Sequence, residues 1–482
     1  MTSLQRQIFC NVELNGANLE AVGFDMDFTL AQYNEEFDML AFNGAKQKLL
    51  SMLNYPQEIL EAVSYSSTAF RRGLIIDKLR GNILKVDRHR YVRNAMHGLR
   101  EMTADERKET YMQSVHSFTE SHYSAIDTLF TLVDALLFAN LVHLKDASAP
   151  SSFLSKKTYE QLYRDIRHCV DLCHRDGAIK DAVMRDPSKY IIYDDGTVHM
   201  LQRLKKSGKR TFLLTNSMWE YTQVVMNYLT HGKELSKVQD AHVWQDLFDV
   251  IIVGANKPGF LTEEFLSLFE VCPKTGALKN VEDTAAELLT PGNKIFQGGH
   301  WQDLHRMLRI SSGDRILYVG DHMYSDILRS KRTLGWRTCL IIPELEGEIH
   351  TSRLQADKFE EILRTRRLQY DLDEYMDLLR QRIGMGVDAH AQLREAELKA
   401  KEIKLKVRAL DREFNSGFNQ MWGQLFKAGY QESRFAKQVT DYACLYTSRA
   451  SNLGLCNPNR PFRPVFAAAA HDVAMLDAEL YS

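Results

Sequence analysis

The chain has 482 residues, 44% of them hydrophobic and 26% charged. A chain of this length is too long to fold around a single hydrophobic core, which predicts two or three domains. The net charge of −2 excludes a global basic field that would attract nucleic acid or an anionic membrane. Seven scattered cysteines indicate free thiols in a reducing compartment, and the start MTSLQRQIFC has no secretory pattern. We therefore predict a cytoplasmic protein.

Short apolar runs in chain order predict a parallel sheet. Each run is rich in Val, Ile or Leu and bounded by polar or turn residues, as is typical of strands buried on both faces. The runs are Ala21–Phe24, Thr211–Leu214, Val250–Val253, Ile316–Val319 and Thr338–Ile342. Helical patterns lie between several of them; one is predicted to begin at Ser217, with Glu220 completing a capping box. Alternating strands and helices predict a Rossmann-like, doubly wound α/β core.

The long interval between the first two strands predicts an inserted cap domain. It is mostly helical in pattern, with one hairpin formed by Gly73–Asp77 and Ile83–Asp87. The segment Ile126–Leu144 is strongly apolar but carries charged residues, which favours a buried helix over a membrane span. Residues 272–300 are predicted to form an irregular segment that leaves the core. The predicted domain organisation is core start 1–34, cap 35–190, remaining core 191–350 and helical C-terminal region 351–482.

The residues that follow the predicted strands are polar and are suited to phosphoryl transfer. Ligands of open α/β sheets bind at the carboxyl ends of the strands. There the sequence has an Asp-Met-Asp segment, a Thr-Asn-Ser segment, a lysine and a Gly-Asp segment with a second aspartate. A hydroxyl, a lysine and four carboxylates are therefore predicted to converge at one edge of the sheet.

The two aspartates after the first strand are predicted to perform the chemistry. Asp25 is the candidate nucleophile toward phosphorus, and Asp27 is the candidate acid that protonates the leaving oxygen and then the base that activates water. Mg²⁺ prefers oxygen ligands and neutralises the repulsion between two anions. Asp25, the Asp27 carbonyl and Asp321 are its predicted ligands, with Asp326 holding Asp321 and a metal-bound water.

The phosphoryl group is predicted to be held by the next two motifs. Thr215, Asn216 and the helix start at Ser217 offer hydrogen-bond donors to its oxygens. Lys257 supplies positive charge where negative charge develops in the transition state. Each of these features alone is commonly a helix cap or a surface lysine. Their order after successive strands is what favours the functional interpretation.

These segments resemble the four motifs of the haloacid dehalogenase superfamily: FDMDFTL, LLTNS, ANKP and YVGDHMYSD. Across nearly the whole chain, segments such as RGLIIDKLRGNILKVD and GWRTCLIIPEL resemble cytosolic IMP/GMP-preferring 5′-nucleotidases. The resemblance implies Mg²⁺-dependent hydrolysis of purine nucleoside monophosphates through an aspartyl phosphate, with a phosphotransferase side activity. It also implies a homo-oligomer and a purine nucleotide effector.

The resemblance further implies a base-recognition site in the cap. DIRHCVD points to Arg167 and Asp171 as contacts to the hydrogen-bonding edge of the purine, with Lys180 nearby, and DTLF points to Phe130 as a stacking platform. Arg supplies paired donors and a carboxylate accepts from a ring N–H. An Arg and an Asp four residues apart also form an ordinary helical ion pair.

Some features depart from the family, and two other functions stay open. The chain ends in DVAMLDAELYS where animal members have an acidic tail, and Asp127 occupies a position that is Asn in the best-known form. The pocket could serve another phosphomonoester, such as a sugar phosphate or a pyrimidine nucleotide. The chain could also be a nucleotide sensor with an inactive site, although the complete set of motif residues argues against this.

Overall fold

The computed structural model describes residues 4–112, 116–233, 242–281 and 294–464. Residues 282–293 of the predicted irregular segment and the last 18 residues, 465–482, lie outside these ranges. The strands, in chain order, are β1 Phe9–Cys10, β2 Leu14–Asn15, β3 Ala21–Phe24, β4 Gln32–Tyr33, β5 Ile75–Asp77, β6 Asn82–Val86, β7 Val92–His97, β8 Arg100–Glu101, β9 Tyr123–Ala125, β10 Ile191–Ile192, β11 Arg210–Leu214, β12 Val250–Val253, β13 Leu268–Val271, β14 Leu278–Asn280, β15 Ile295–Gly298, β16 Ile316–Gly320, β17 Arg337–Ile341, β18 Lys427–Ala428, β19 Gln431–Glu432, β20 Leu445–Thr447 and β21 Pro461–Phe462.

The helices begin at recognisable caps in several places. Asn34 caps the first, and Thr158 with Gln161 forms a capping box at the fifth. In chain order they are α1 Glu35–Leu53, α2 Gln57–Ala62, α3 Ala104–Tyr111, α4 Leu132–Asp146, α5 Tyr159–Arg175, α6 Ala178–Arg185, α7 Pro187–Tyr190, α8 Gly196–Lys206, α9 Trp219–His231, α10 Gly259–Thr262, α11 Trp301–Leu308, α12 Arg329–Leu334, α13 Leu345–Leu354, α14 Ala356–Gly384, α15 His390–Ser416 and α16 Arg434–Tyr442.

A ten-stranded sheet forms the core, in the order β1-β20-β17-β16-β3-β11-β12-β15-β13-β14. Neighbours from β20 to β15 are parallel. The five predicted strands are confirmed to within one residue, as is the α/β class. Strands β15 and β20 were not predicted. Each is only three or four residues long, and its pairing with a neighbouring strand, rather than its own sequence pattern, makes it a strand.

Successive side chains of the core strands enter two different hydrophobic clusters. Val22 and Phe24 pack in one cluster with Leu201 of α8 and Val225 of α9, whereas Ala21 packs in the other with α11. Burial on both faces explains why these strands are continuous apolar runs instead of alternating ones. The sheet therefore has helices on both sides, and its carboxyl edge is left for polar residues.

The segment between β4 and β10 contains an antiparallel sheet as well as helices. Its five strands run in the order β8-β7-β6-β5-β9. The predicted hairpin is its β5–β6 pair, with β5 two residues shorter than predicted and β6 shifted by one residue. The expectation of a mostly helical insertion was thus incomplete. β7 was missed because it is only half-buried and carries charged residues that are paired, as in the Arg93–Asp87 bridge.

Helix α4 covers most of the apolar segment Ile126–Leu144 and ends two residues beyond it, and its stretch from Val133 to Val142 is buried, which confirms the predicted buried helix. Across the described ranges, we find no helix with the length and apolarity needed to cross a membrane. After residue 350, α14 and α15 form an antiparallel pair joined by ion pairs such as Arg366–Asp411. This region is not only helical, because β20 joins the core sheet.

We predict that Gly23→Ala destabilises the core sheet. A Cβ at Gly23 would lie 2.0 Å from Phe212 Cζ, so the aromatic ring must shift. Overpacking of this kind costs about 1–3 kcal/mol, measurable as a lower free energy of unfolding in urea. The control is Gly347→Ala in α13, where a Cβ meets nothing within 4 Å and stability should stay or rise. Equal stability of the Gly23 variant and the wild type would contradict this packing.

Candidate active site

Four adjacent strands bring the predicted catalytic residues to one place. β16, β3, β11 and β12 are consecutive parallel neighbours in the sheet. Their carboxyl ends lead into the segments that carry Asp321, Asp25, Thr215 and Lys257, respectively. Because parallel strands end at the same edge, residues that are nearly 300 positions apart in the chain become neighbours.

The Lys257 ammonium lies at the centre of this cluster. Its Nζ is 2.9 Å from Asp25 Oδ1 and 2.8 Å from Asp326 Oδ1, and it donates to the Tyr318 hydroxyl at 2.8 Å. The Lys257 side chain is buried. Burial lowers its pKa, but the two carboxylates raise it by more, and the ammonium stays charged. Asn216 holds the Lys257 backbone by accepting from its N–H and donating to its carbonyl oxygen.

Asp25, Asp321 and Asp326 form a buried acidic cluster that fits a divalent cation. Each offers a carboxylate oxygen, and these oxygens lie within 4.8 Å of one another. Burial raises the pKa of Asp25 well above its ordinary value, and it raises the pKa of Asp321 to about 7, with Asp326 adding to that shift. The cluster has more carboxylates than Lys257 neutralises. Hard oxygen ligands with uncompensated negative charge are what Mg²⁺ requires.

Asp27 is held apart from this acidic cluster by two hydroxyls. Tyr33 donates to its Oδ1 at 2.5 Å, and Ser217 donates to its Oδ2 at 2.8 Å. The Tyr33 hydroxyl is also 2.9 Å from that of Tyr221. Burial and the nearby Asp27 carboxylate raise the pKa of Tyr33 well above its usual range, which keeps it a donor. The predicted capping box at Ser217 was wrong: α9 begins at Trp219, and the Ser217 hydroxyl binds Asp27 instead.

The residues predicted to hold phosphate are at the site, but their side chains have other partners. The Thr215 hydroxyl accepts from the Ser217 N–H at 3.0 Å. Both ends of the Asn216 side chain are used by Lys257. Their clearest role in this structure is to shape the loop after β11 and to place Lys257. Direct contacts from these side chains to phosphate stay a prediction.

The predicted base-recognition residues lie together in the inserted region. Arg167 forms ion pairs with Asp134, at 2.5 Å, and with Asp171. Phe130 makes edge contacts with Phe28 at 4.6 Å and with His174 at 5.5 Å between ring centroids. Arg167 and Asp171 are thus near one another, but each already has an ionic partner.

Lys180 lies between this group and the residues that contact Asp27. Its Nζ lies 5.4 Å from the ring centroid of Tyr221, whose hydroxyl contacts Tyr33 beside Asp27. A separate cleft of about 810 Å³ borders the site at Phe28 and Tyr33. Among the described residues, its lining omits all four predicted base contacts and includes Ser66–Arg71 instead.

Several residues of the site were not predicted. In the sequence, Tyr33 and Tyr318 have the pattern of core aromatic residues. Only their hydroxyl groups could have indicated a role in the site. Arg72 lies within a segment that resembles the family, yet nothing in its spacing points to the site; it donates to the Asp321 carbonyl at 2.9 Å. Thr128 donates to Asp321 Oδ2 at 3.1 Å. These contacts depend on tertiary neighbours. The parallel sheet thus carries an acidic, lysine-containing site at its carboxyl edge, as the sequence predicted.

Comparison with known proteins shows the family of the chain. The model of the 5′ nucleotidase family matches residues 8–474. The chain belongs to the 5′-nucleotidase family. A 5′-nucleotidase domain-containing protein of Dictyostelium discoideum is 28% identical over 465 residues, covering 93% of this chain and 72% of that protein.

Solved structures with partial similarity include a β-phosphoglucomutase from Pyrococcus sp. strain ST 04 and a HAD phosphatase from Thermococcus onnurineus. The first is 12% identical with a TM-score of 0.29, covering 67% of this chain and 86% of that one. The second is 16% identical with a TM-score of 0.24, covering 67% and 87%. At these TM-scores the structural similarities carry no functional argument.

We predict that Tyr33→Phe lowers kcat while leaving KM nearly unchanged. The substitution keeps the aromatic packing but removes a donor to the Asp27 carboxylate. A hydrogen bond to a charged group contributes about 1.5–3 kcal/mol, which corresponds to a loss of roughly tenfold or more in kcat. The measurement is steady-state phosphate release. Tyr91→Phe, at an exposed position in the inserted region, is the matched control and should behave as the wild type.

Proposed function

We propose that the enzyme hydrolyses the 5′-phosphate of purine nucleoside monophosphates, such as IMP, GMP and their deoxy forms, with Mg²⁺. The observation that carries the proposal is the buried arrangement of Lys257 between Asp25 and Asp326, with Asp27 held nearby by Tyr33 and Ser217. A charged lysine next to a carboxylate nucleophile and a separate acid matches the needs of phosphoryl transfer.

The reaction is proposed to proceed in two displacements. An Asp25 carboxylate oxygen forms a bond to phosphorus while the bond between phosphorus and the ribose oxygen breaks, and Asp27 gives its proton to that oxygen. Water then attacks the aspartyl phosphate, Asp27 takes the proton, and inorganic phosphate leaves with Asp25 regenerated. A nucleoside 5′-hydroxyl in place of water would yield the phosphotransferase side activity. Lys257 balances charge on the transferring group in both steps.

Mg²⁺ is proposed to be held by Asp25 and Asp321 with the Asp27 carbonyl, and Asp326 supports them. When bound, the ion neutralises the repulsion between the phosphate and the carboxylate nucleophile. The support for this assignment is the excess of buried carboxylates over lysine in the cluster.

Purine recognition is proposed to use Phe130, Arg167, Asp171 and Lys180. Their proximity to each other and the contact of Lys180 with Tyr221 support this assignment. Arg167 would exchange one of its carboxylate partners for the base. A second candidate substrate is another phosphomonoester, such as a sugar phosphate or a pyrimidine nucleotide. The separate cleft beside Phe28 and Tyr33 favours this candidate, because it could hold a different leaving group. An inactive nucleotide sensor remains the alternative from a different class.

We also propose self-association, supported by exposed apolar side chains along the α14–α15 pair. They include Leu368, Tyr375 and Leu378 on α14 and Leu398 and Leu405 on α15. A purine nucleotide effector is proposed from the resemblance alone.

Phosphate release from a panel of substrates tests the proposed function. We expect release that is strongest for IMP, GMP or their deoxy forms, is abolished by a chelator and is restored by Mg²⁺. Asp25→Asn should lose turnover, because an amide oxygen is a poor nucleophile, while keeping the fold. Preference for sugar or pyrimidine phosphates would agree with the proposed reaction but refute the proposed recognition of purines. Nucleotide-induced thermal stabilisation without any phosphate release would support the sensor.

We predict that Arg167→Ala selectively impairs purine substrates. The variant should raise KM for IMP by about tenfold or more, since a charged hydrogen bond is lost, but should change turnover of a small aryl phosphate little. Arg164→Ala, an exposed residue of the same helix, is the matched control. Equal losses for IMP and aryl phosphate would indicate that the base binds elsewhere, with the cleft at Phe28 as the next place to test.

A further inference from the structure

The inserted region contacts the acidic loop after β16 directly. Thr128 Oγ1 donates to Asp321 Oδ2 at 3.1 Å, and Arg72 Nη1 donates to the Asp321 carbonyl at 2.9 Å. Both side chains are buried, with exposed fractions of 6% and 1%. Asp321 of the proposed cation site is therefore held, at its carboxylate and at its backbone carbonyl, by side chains that the core sheet does not provide.

Arg72 joins the inserted region to the core through several hydrogen bonds. Its guanidinium makes a bidentate ion pair with Glu344 and donates to the Ile341 carbonyl at 3.2 Å. With the Asp321 carbonyl, these bonds join the ends of β16 and β17 to the segment before β5. All of the core atoms it binds, other than the Glu344 carboxylate, are backbone oxygens, so Arg72 sets the position of the loop rather than the orientation of the Asp321 carboxylate.

Thr128 contacts the carboxylate itself. A hydroxyl has one proton, and at Thr128 that proton is directed to Asp321 Oδ2, while the oxygen accepts from the Phe130 N–H at 3.4 Å. The Thr128 carbonyl also accepts from Thr131 Oγ1 at 2.9 Å. The same hydroxyl thus joins the turn that carries Phe130 to a carboxylate of the acidic cluster.

We propose that Thr128 is a positioning residue that orients Asp321 for the divalent cation and couples the Phe130 turn to the cation site. The inference rests on the proposed function, because it takes Asp321 as a metal ligand and Phe130 as the base platform. A donor to Asp321 Oδ2 restricts rotation of the carboxylate, so that the other oxygen stays directed to the ion. Movement of the Phe130 turn upon base binding is transmitted through the shared hydroxyl.

The competing interpretation is that Thr128 only caps the turn at Leu129–Thr131. The geometry favours the role of Thr128 in orienting Asp321 over a role in capping alone, because the contact to the Phe130 N–H is 3.4 Å whereas the contact to Asp321 is 3.1 Å. The two interpretations differ in their consequences: loss of a cap lowers stability, whereas loss of a ligand-orienting hydrogen bond weakens cation binding.

The test compares Thr128→Val, which keeps the shape but removes the hydroxyl, with Thr128→Ser, which keeps the hydroxyl. Mn²⁺ serves as the probe, and its dissociation constant is measured by calorimetry on the full chain, with and without IMP. We expect Thr128→Val to weaken Mn²⁺ binding about tenfold and to remove any enhancement by IMP. Thr128→Ser should stay within about twofold of the wild type.

The control is Thr365→Val in α14, where the hydroxyl donates to the Glu361 carbonyl of its own helix. If Thr128→Val fails to fold, Thr128→Ala gives a second variant without the hydroxyl. Wild-type Mn²⁺ affinity in a folded hydroxyl-free variant would overturn the inference. Absence of Mn²⁺ binding in the wild type would instead refute the cation site of the proposed function, so the two failures are distinguishable.

Discussion

The structure depends on one electrostatic constraint: a buried lysine ammonium shared between the carboxylates of Asp25 and Asp326. Buried charges are stable only when they are paired and hydrogen-bonded. The surrounding residues meet that requirement. Asn216 holds the Lys257 backbone, and Tyr318 accepts from the ammonium and donates to the Leu214 carbonyl. The close approach of Asp326 to Gly320, where a Cβ would lie 2.5 Å from Asp326 Oδ2, belongs to the same arrangement.

The inserted region takes part in the site instead of only covering it. Arg72 and Thr128 hold the segment that carries Asp321. Tyr33 and Tyr221 link Asp27 to the neighbourhood of Lys180. Asp25 is therefore placed by a core strand, whereas Asp27 and the loop that carries Asp321 receive hydrogen bonds from residues outside the parallel sheet. This division gives a physical route by which a ligand bound near the inserted region could influence the acidic cluster.

The sequence predicted those parts of the fold that have a local pattern. The runs at Ala21–Phe24 and Val250–Val253 are apolar throughout because both faces of each strand are buried, and their bounds are confirmed without change. β20 was not predicted because it is short and depends on pairing with β17, and β7 was not predicted because it carries charged residues that are paired. Ser217 was assigned to a helix cap because the capping pattern is local, while its partner Asp27 is 190 residues away.

Short apolar runs and motifs were enough to predict the class of the sheet, the order of the candidate site residues and the family, because each of these is encoded locally in the sequence. Tertiary structure alone decided which groups touch. It directed both ends of Asn216 to Lys257, joined Tyr33 to Asp27 and brought Thr128 to Asp321. Hydrogen bonds depend on distances of a few ångströms between segments far apart in the chain, and no pattern within a single segment carries that information.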